Sequence, residues 1–299
     1  MKTLLWFGCV AVLGGAVLLG KAERAATPDE AARAAAVKLF QSLTDEQKKL
    51  AVKEFDDKER YVEQFPPVQR PGLPYSKLSA EQKTMIDDIV RAVCSEYGAA
   101  RLLEVAKQTP DGARYLNFFG TPAADGRFAW RIAMHHLTLI YTEFGKDKAG
   151  EFGPILLGGN PVKTLWDEEE KVLLELNASL SPEDVKAIKG KGSSTSGAAI
   201  DLSAVKISGL SEKPRLLAKK LIEQRLAVFS PDRRKVLDEL IEKEGGVDAL
   251  RIAIWGDASK SQKEGGNYHW KIGGAAVICD WQTAGKDHIH MTVRGKAKS

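Results

Sequence analysis

Three short signals recur in the same order along this chain, and together they restrict it to a fold in which helices precede strands twice. Leu43-Thr44-Asp45-Glu46-Gln47 is echoed by Leu180-Ser181-Pro182-Glu183-Asp184, Lys77-Leu78-Ser79-Ala80-Glu81 by Gly209-Leu210-Ser211-Glu212, and Trp130-Arg131-Ile132 by Trp270-Lys271-Ile272. Leu43 and Leu180, Leu78 and Leu210, and Trp130 and Trp270 are separated by 137, 132 and 140 residues. A nearly constant offset, with loops absorbing the differences, is the pattern of an internal duplication. The units fall at 23–161 and 162–299, with Gly158-Gly159-Asn160-Pro161 closing the first sheet.

Each unit reads as helices followed by strands. Asp29 to Ser42 carries apolar residues at helical spacing, and Thr44 caps a second helix running toward Phe55. Ser79 with Gln82 forms a capping box for a helix to about Tyr97. The Pro- and Gly-rich stretch from Phe65 to Pro74 is an extended connection, and Gly190 to Ala199 a low-complexity loop. Phe128 to Ile132 and His135 to Tyr141 are rich in aromatic and β-branched residues, with Pro154 to Leu157 able to pair beside them. Helix runs followed by strand runs predict an α+β fold: two similar units whose antiparallel strands join in one sheet about a pseudo-twofold axis.

The N-terminus reads as an export signal: Lys2, an apolar run from Leu4 to Gly20, then Lys21. Small residues near Ala22 predict cleavage there; an uncleaved membrane anchor over 1–22 is the alternative. This reading places the protein in a bacterial periplasm or outside the cell. With 44 basic and 40 acidic side chains evenly scattered, nothing argues for nucleic acid.

Two histidines at strand spacing, His288 and His290, stand out in a chain with only five. They share one strand face with Thr292 and Arg294, while Ile289, Met291 and Val293 take the other and predict the core side. His135 and His136, adjacent in a strand-like run, point to opposite faces by the same parity. Only one of them is expected to join a given site, and the sequence does not choose. Neutral imidazoles are ligands for zinc and copper, and three of them leave a position open for water or substrate. His288, His290 and His135 or His136 are therefore the candidate metal ligands; His269 could add a fourth, and Asp280 and Asp287 could orient a ring. Ordinary hydrogen-bonded strand histidines are the competing reading.

Other chemistries find little support. There is no G-x-S-x-G, and Cys94 and Cys279 lie in apolar patterns. Gly158-Gly159 and Gly273-Gly274 read as sheet turns, and Glu168-Glu169-Glu170 as a helix start. Trp130, Trp255, Trp270 and Trp281 could line a glycan cleft, although packing is their more economical use.

Phe55-Asp56-Asp57 with Glu59-Arg60, Gly72-Leu73-Pro74, Phe118-Phe119-Gly120-Thr121-Pro122, Trp130-Arg131 with His135-His136-Leu137, Leu157 to Pro161, and His288-Ile289-His290 span most of the chain. Together they resemble a bacterial family of exported proteins catalogued as domain of unknown function number thirty-five hundred. The resemblance implies that the paired histidines, the H-x-H and the Asn-Pro turn belong to one shared pattern; it transfers no activity. The family's His-Tyr-Tyr-Arg-Ile run stands here as Tyr268-His269-Trp270-Lys271-Ile272, with the histidine displaced by one residue. The functional expectation is metal binding in a hydrolase or oxidoreductase; the alternative is a non-catalytic envelope module for a glycan or protein partner.

Overall fold

The computed structural model describes residues 28–63, 71–123, 126–144, 151–192 and 194–296. The export segment at 1–22, most of the Pro-rich connection (64–70) and Ser193 lie outside the described residues. Among those described there are eight α-helices and ten strands, and no helix is long and apolar enough to cross a membrane.

The first four helices are α1 (Pro28–Ser42), α2 (Asp45–Ala51), α3 (Ala80–Val93) and α4 (Glu96–Ala106). Thr44 and Ser79 each form the expected capping box, with Gln47 and Gln82 reaching back to the cap N–H. Two helices end earlier than their apolar pattern predicts. Val52-Lys53, as strand β1, leaves α2 to join the sheet. Ser95 breaks the run toward Tyr97 and restarts it as α4, its hydroxyl accepting from the Gly98 N–H.

The remaining strands of the first half are β2 (Leu73–Pro74), β3 (Tyr115–Phe119), β4 (Phe128–Met134), β5 (Leu137–Glu143) and β6 (Glu151–Gly159). After them come α5 (Asp167–Ala178), α6 (Pro182–Ile188), α7 (Glu212–Leu226) and α8 (Pro231–Lys243), then β7 (Arg251–Asp257), β8 (Asn267–Gly273), β9 (Val277–Thr283) and β10 (Ile289–Lys296). The architecture is α+β. One sheet runs in the order β1-β3-β4-β5-β6-β10-β9-β8-β7, with β2 beside β3. It consists of two antiparallel meanders, β3 to β6 and β7 to β10, joined through their last strands. The parallel β1–β3 pair makes it mixed.

Some pairings in the first half have counterparts in the second. Pro74 pairs antiparallel with Tyr115, and Lys206 with Arg251; Val52 pairs parallel with Phe118, and Lys189 with Ile254. Arg131 on β4 donates to the carbonyls of Glu59 and Val62, while Lys271 on β8 donates to those of Thr195 and Ala198. The echoed Trp-cation-Ile runs thus each place a buried cation that holds down a loop.

The sheet has one apolar and one polar face. Trp130, Ile132, Leu139, Trp270, Ile272, Ile289, Met291 and Val293 lie in the core cluster with the helices, among which α4 meets β5 and β6, and α8 meets β6, β9 and β10. On the other face Asn117, Arg131, Thr138, Lys271, Asp280 and Thr292 are buried beneath the segments around 59–63 and 195–199. A buried polar face persists only where its groups are paired. Asp280 accepts from the N–H groups of Thr292 and Gly197 and from the Ser196 hydroxyl, at 2.9, 2.7 and 3.0 Å.

Candidate metal centre

Met134 and Leu137 face each other across the β4–β5 hairpin, so His135 and His136 are its two-residue turn and not part of a strand. Strand parity does not govern turn residues. The expectation that only one of the pair could enter a site is therefore corrected: the rings stack at 3.8 Å between centroids and both turn toward the same place.

That place is reached because Leu137 pairs with Leu157 and Leu157 with Met291, which sets the turn two strands from the start of β10. His290 stands opposite Gly158 on β6. A Cβ at Gly158 would lie 2.4 Å from the Ile289 carbonyl oxygen and 3.2 Å from Cδ2 of His136, so the bare glycine lets β10 close on β6 with the imidazole above it. His288 immediately precedes β10 and is set by Asp287, whose φ is +55°. The Asp287 carboxylate accepts from the N–H groups of Val162 and Lys163 at 3.1 and 3.0 Å, tying the loop after β6 to the entry of β10.

His135, His136, His288 and His290 each offer a ring nitrogen within 4.8 Å of the other three. Nε2 of His288 is 3.0 Å from Nε2 of His136 and 3.3 Å from Nε2 of His290. Donors at metal–nitrogen distances near 2.05 Å stand about 3.3 Å apart in a tetrahedron, so this spacing fits a shared ion. His136, His288 and His290 form the close core. The His135 ring is farther from the H-x-H pair, at 6.0 Å from each centroid.

The site favours unprotonated rings. Burial pushes His136 down to about 3 and His290 to about 4, with the neighbouring imidazoles adding to the effect. His135 and His288 are lowered too, chiefly by burial; a hydrogen bond to the Ala284 backbone acts the other way at His288. With Nε2 of His288 in the cluster, Nδ1 is the atom available to Ala284, the outer contact that commonly fixes a ligating imidazole. Four neutral nitrogen donors could hold zinc or copper and would leave the ion its full positive charge.

Other candidates fall elsewhere. His269 is not a fourth ligand: its Nε2 is 3.7 Å from Asp280, and both ring nitrogens are buried with no hydrogen-bond partner. Neither aspartate orients a ring, since Asp280 holds the Ser196-Gly197 loop and Asp287 the chain at Val162. Cys94 and Cys279 are free and buried, with thiols pushed up to about 12 by burial. Trp130, Trp270 and Trp281 are wholly buried and present nothing to a glycan, while Trp255 is partly exposed.

Two features went unread in the sequence. Glu63, in the segment that covers the polar face, is raised to about 7 by burial and by the nearby Asp280 charge. In the acidic start of α5, Glu169 ion-pairs with the buried Arg225, and Glu170 accepts from the Tyr268 hydroxyl and, at 2.6 Å, from the Gln262 N–H. The long polar reach of Arg225 from an otherwise apolar helix face was the available signal.

Comparison with curated proteins and with solved structures finds no match. The sequence model described as a protein of unknown function, DUF3500, covers residues 25–298, nearly the whole chain, and the protein belongs to that family.

Proposed function

We propose that this protein binds one transition-metal ion, zinc or copper, through His136, His288 and His290 with His135 as fourth donor, and uses it in hydrolytic or redox chemistry. The observation that carries the reading is the convergence of four ring nitrogens, from a turn in one half and the entry of the last strand in the other, within 4.8 Å. A bound ion would supply Lewis acidity and, if copper, electron transfer. The chain's part is to keep the three core rings neutral and fixed. His135, the farther and less buried ring, would be the fourth donor and the one best placed to give way to an exogenous ligand.

Elemental analysis of protein purified without a His-tag tests this, with wild type compared against His288→Ala/His290→Ala. Near-stoichiometric zinc or copper in the wild type and its loss in the variant is expected. Equal metal content in the two proteins ends the proposal.

We further propose that the protein acts outside the cytoplasm, a reading supported by the charged and apolar pattern of residues 1–22. Cell fractionation with mass determination of the mature N-terminus checks it; a cytoplasmic protein retaining Met1 refutes it.

A further inference from the structure

The β6–β10 seam has two ends. The imidazoles occupy one, where Gly158 meets His290; the other lies where Phe152 meets Gly295 and the β8–β9 turn at Gly274 to Ala276 closes over the strands. There a cavity of about 310 Å3 opens between the two halves. We propose that it binds a small organic carboxylate, a site independent of the metal centre.

The lining gives both parts of such a ligand a place. Phe152 and Ile278 are buried apolar walls, and Ala275 and Ala276 at the mouth leave room that larger side chains would fill. A volume at the lower end of the small-molecule range suits a body about the size of one ring. Two cations face this space. Arg294 has no hydrogen-bond or ion-pair partner among the described residues, and Lys296 has no carboxylate within ion-pair distance, its ammonium lying 5.3 Å from the Tyr61 ring centroid.

Two of the nearby carboxylates are engaged. Glu151 pairs with Arg60 at 2.7 Å and accepts from the Tyr61 hydroxyl, and Glu244 accepts from the N–H groups of Ala275 and Ala276. Glu63 lies within electrostatic reach of Arg294, bonds to Thr292 and has its Oε1 without a hydrogen-bond partner; burial pushes it up to about 7, which weakens its claim on the guanidinium. Among the described residues the cavity therefore carries an excess of positive charge beside an apolar wall. A guanidinium fork matches a planar carboxylate, and the ammonium adds a second charge.

The test is ligand-observed NMR titration of the full chain with benzoate, benzyl alcohol and inorganic phosphate. Saturable millimolar binding of benzoate is expected, with the alcohol and phosphate each at least about tenfold weaker. Arg294→Gln should weaken benzoate by at least about tenfold. Ala275→Trp should block it, and His288→Ala/His290→Ala should leave it unchanged. Far-UV circular dichroism confirms folding; should Arg294→Gln fail to fold, Ala275→Trp and the two control ligands decide alone. Absence of saturable benzoate binding, phosphate binding as tight as benzoate, or indifference to whichever folded variant is tested overturns the proposal.

Discussion

Acidifying the metal-free protein from about pH 7 to about pH 5.5 sets two buried sites against each other. His136 is held at about 3 against an ordinary 6.5, so below pH 6.5 the unfolded chain takes up a proton that the native state refuses. Stability contributed by the neutral ring is lost as pH falls, by about 1.2 kcal/mol over this window, and His290 costs about as much again. Glu63 works oppositely. Its native value near 7 against 4.5 means that the folded protein takes up the proton first, which adds about 1.6 kcal/mol as pH falls. From these three groups together the wild type should therefore lose only about 0.8 kcal/mol. Urea unfolding in the presence of a chelator at both pH values separates them, because all other titrations cancel in the difference between variants. Glu63→Gln should lose about 1.6 kcal/mol more than wild type on acidification, and His136→Gln about 1.2 kcal/mol less, at unchanged m-value. If Glu63→Gln and wild type lose the same amount, Glu63 is not the buried, repelled carboxyl that the geometry makes it.

Gly158→Ala introduces a Cβ 2.4 Å from the Ile289 carbonyl and 3.2 Å from the His136 ring, so competition with a chromogenic chelator should show at least about tenfold weaker zinc binding in a folded protein. Breaking the fully buried Arg225–Glu169 pair by Glu169→Ala should cost about 3 to 5 kcal/mol in denaturant unfolding, whereas Glu169→Ala with Arg225→Met should cost less, because the second change removes the stranded charge. Cys94 and Cys279, with thiols near 12, should stay unreactive toward a thiol reagent until the protein unfolds; fast labelling of the native state would refute their burial.

Local signals were legible where a residue's neighbours in sequence are also its neighbours in space. Thr44 and Ser79 announce their helices because a capping box closes over three residues. Alternation along β10 separates His290 and Thr292 from Ile289, Met291 and Val293 because pleating alone decides it. The His135-His136 turn is hidden in the sequence for the converse reason. Met134 and Leu137 are apolar on both sides of it, and the pair carries neither glycine nor asparagine, so nothing local interrupts the strand pattern. The buried charges were hidden for a different reason. Glu63, Asp280 and Arg225 look like ordinary surface residues until elements more than fifty positions away close over them, at the polar face for the first two and among the helices for Arg225.

His135 and His136 belong to the first meander, and His288 and His290 to the second, while among the described residues the one ladder joining the meanders is β6 with β10. An ion held by all four rings must therefore favour the joined sheet over any state in which the halves separate, since separation divides the ligands two and two. Stabilisation should follow RT ln(1 + [M]/Kd), rising by about 1.4 kcal/mol for each tenfold increase in free zinc above Kd. His288→Ala/His290→Ala should be flat over the same range. A wild type whose unfolding midpoint ignores zinc would mean that the four nitrogens, however close, do not act as one ligand set.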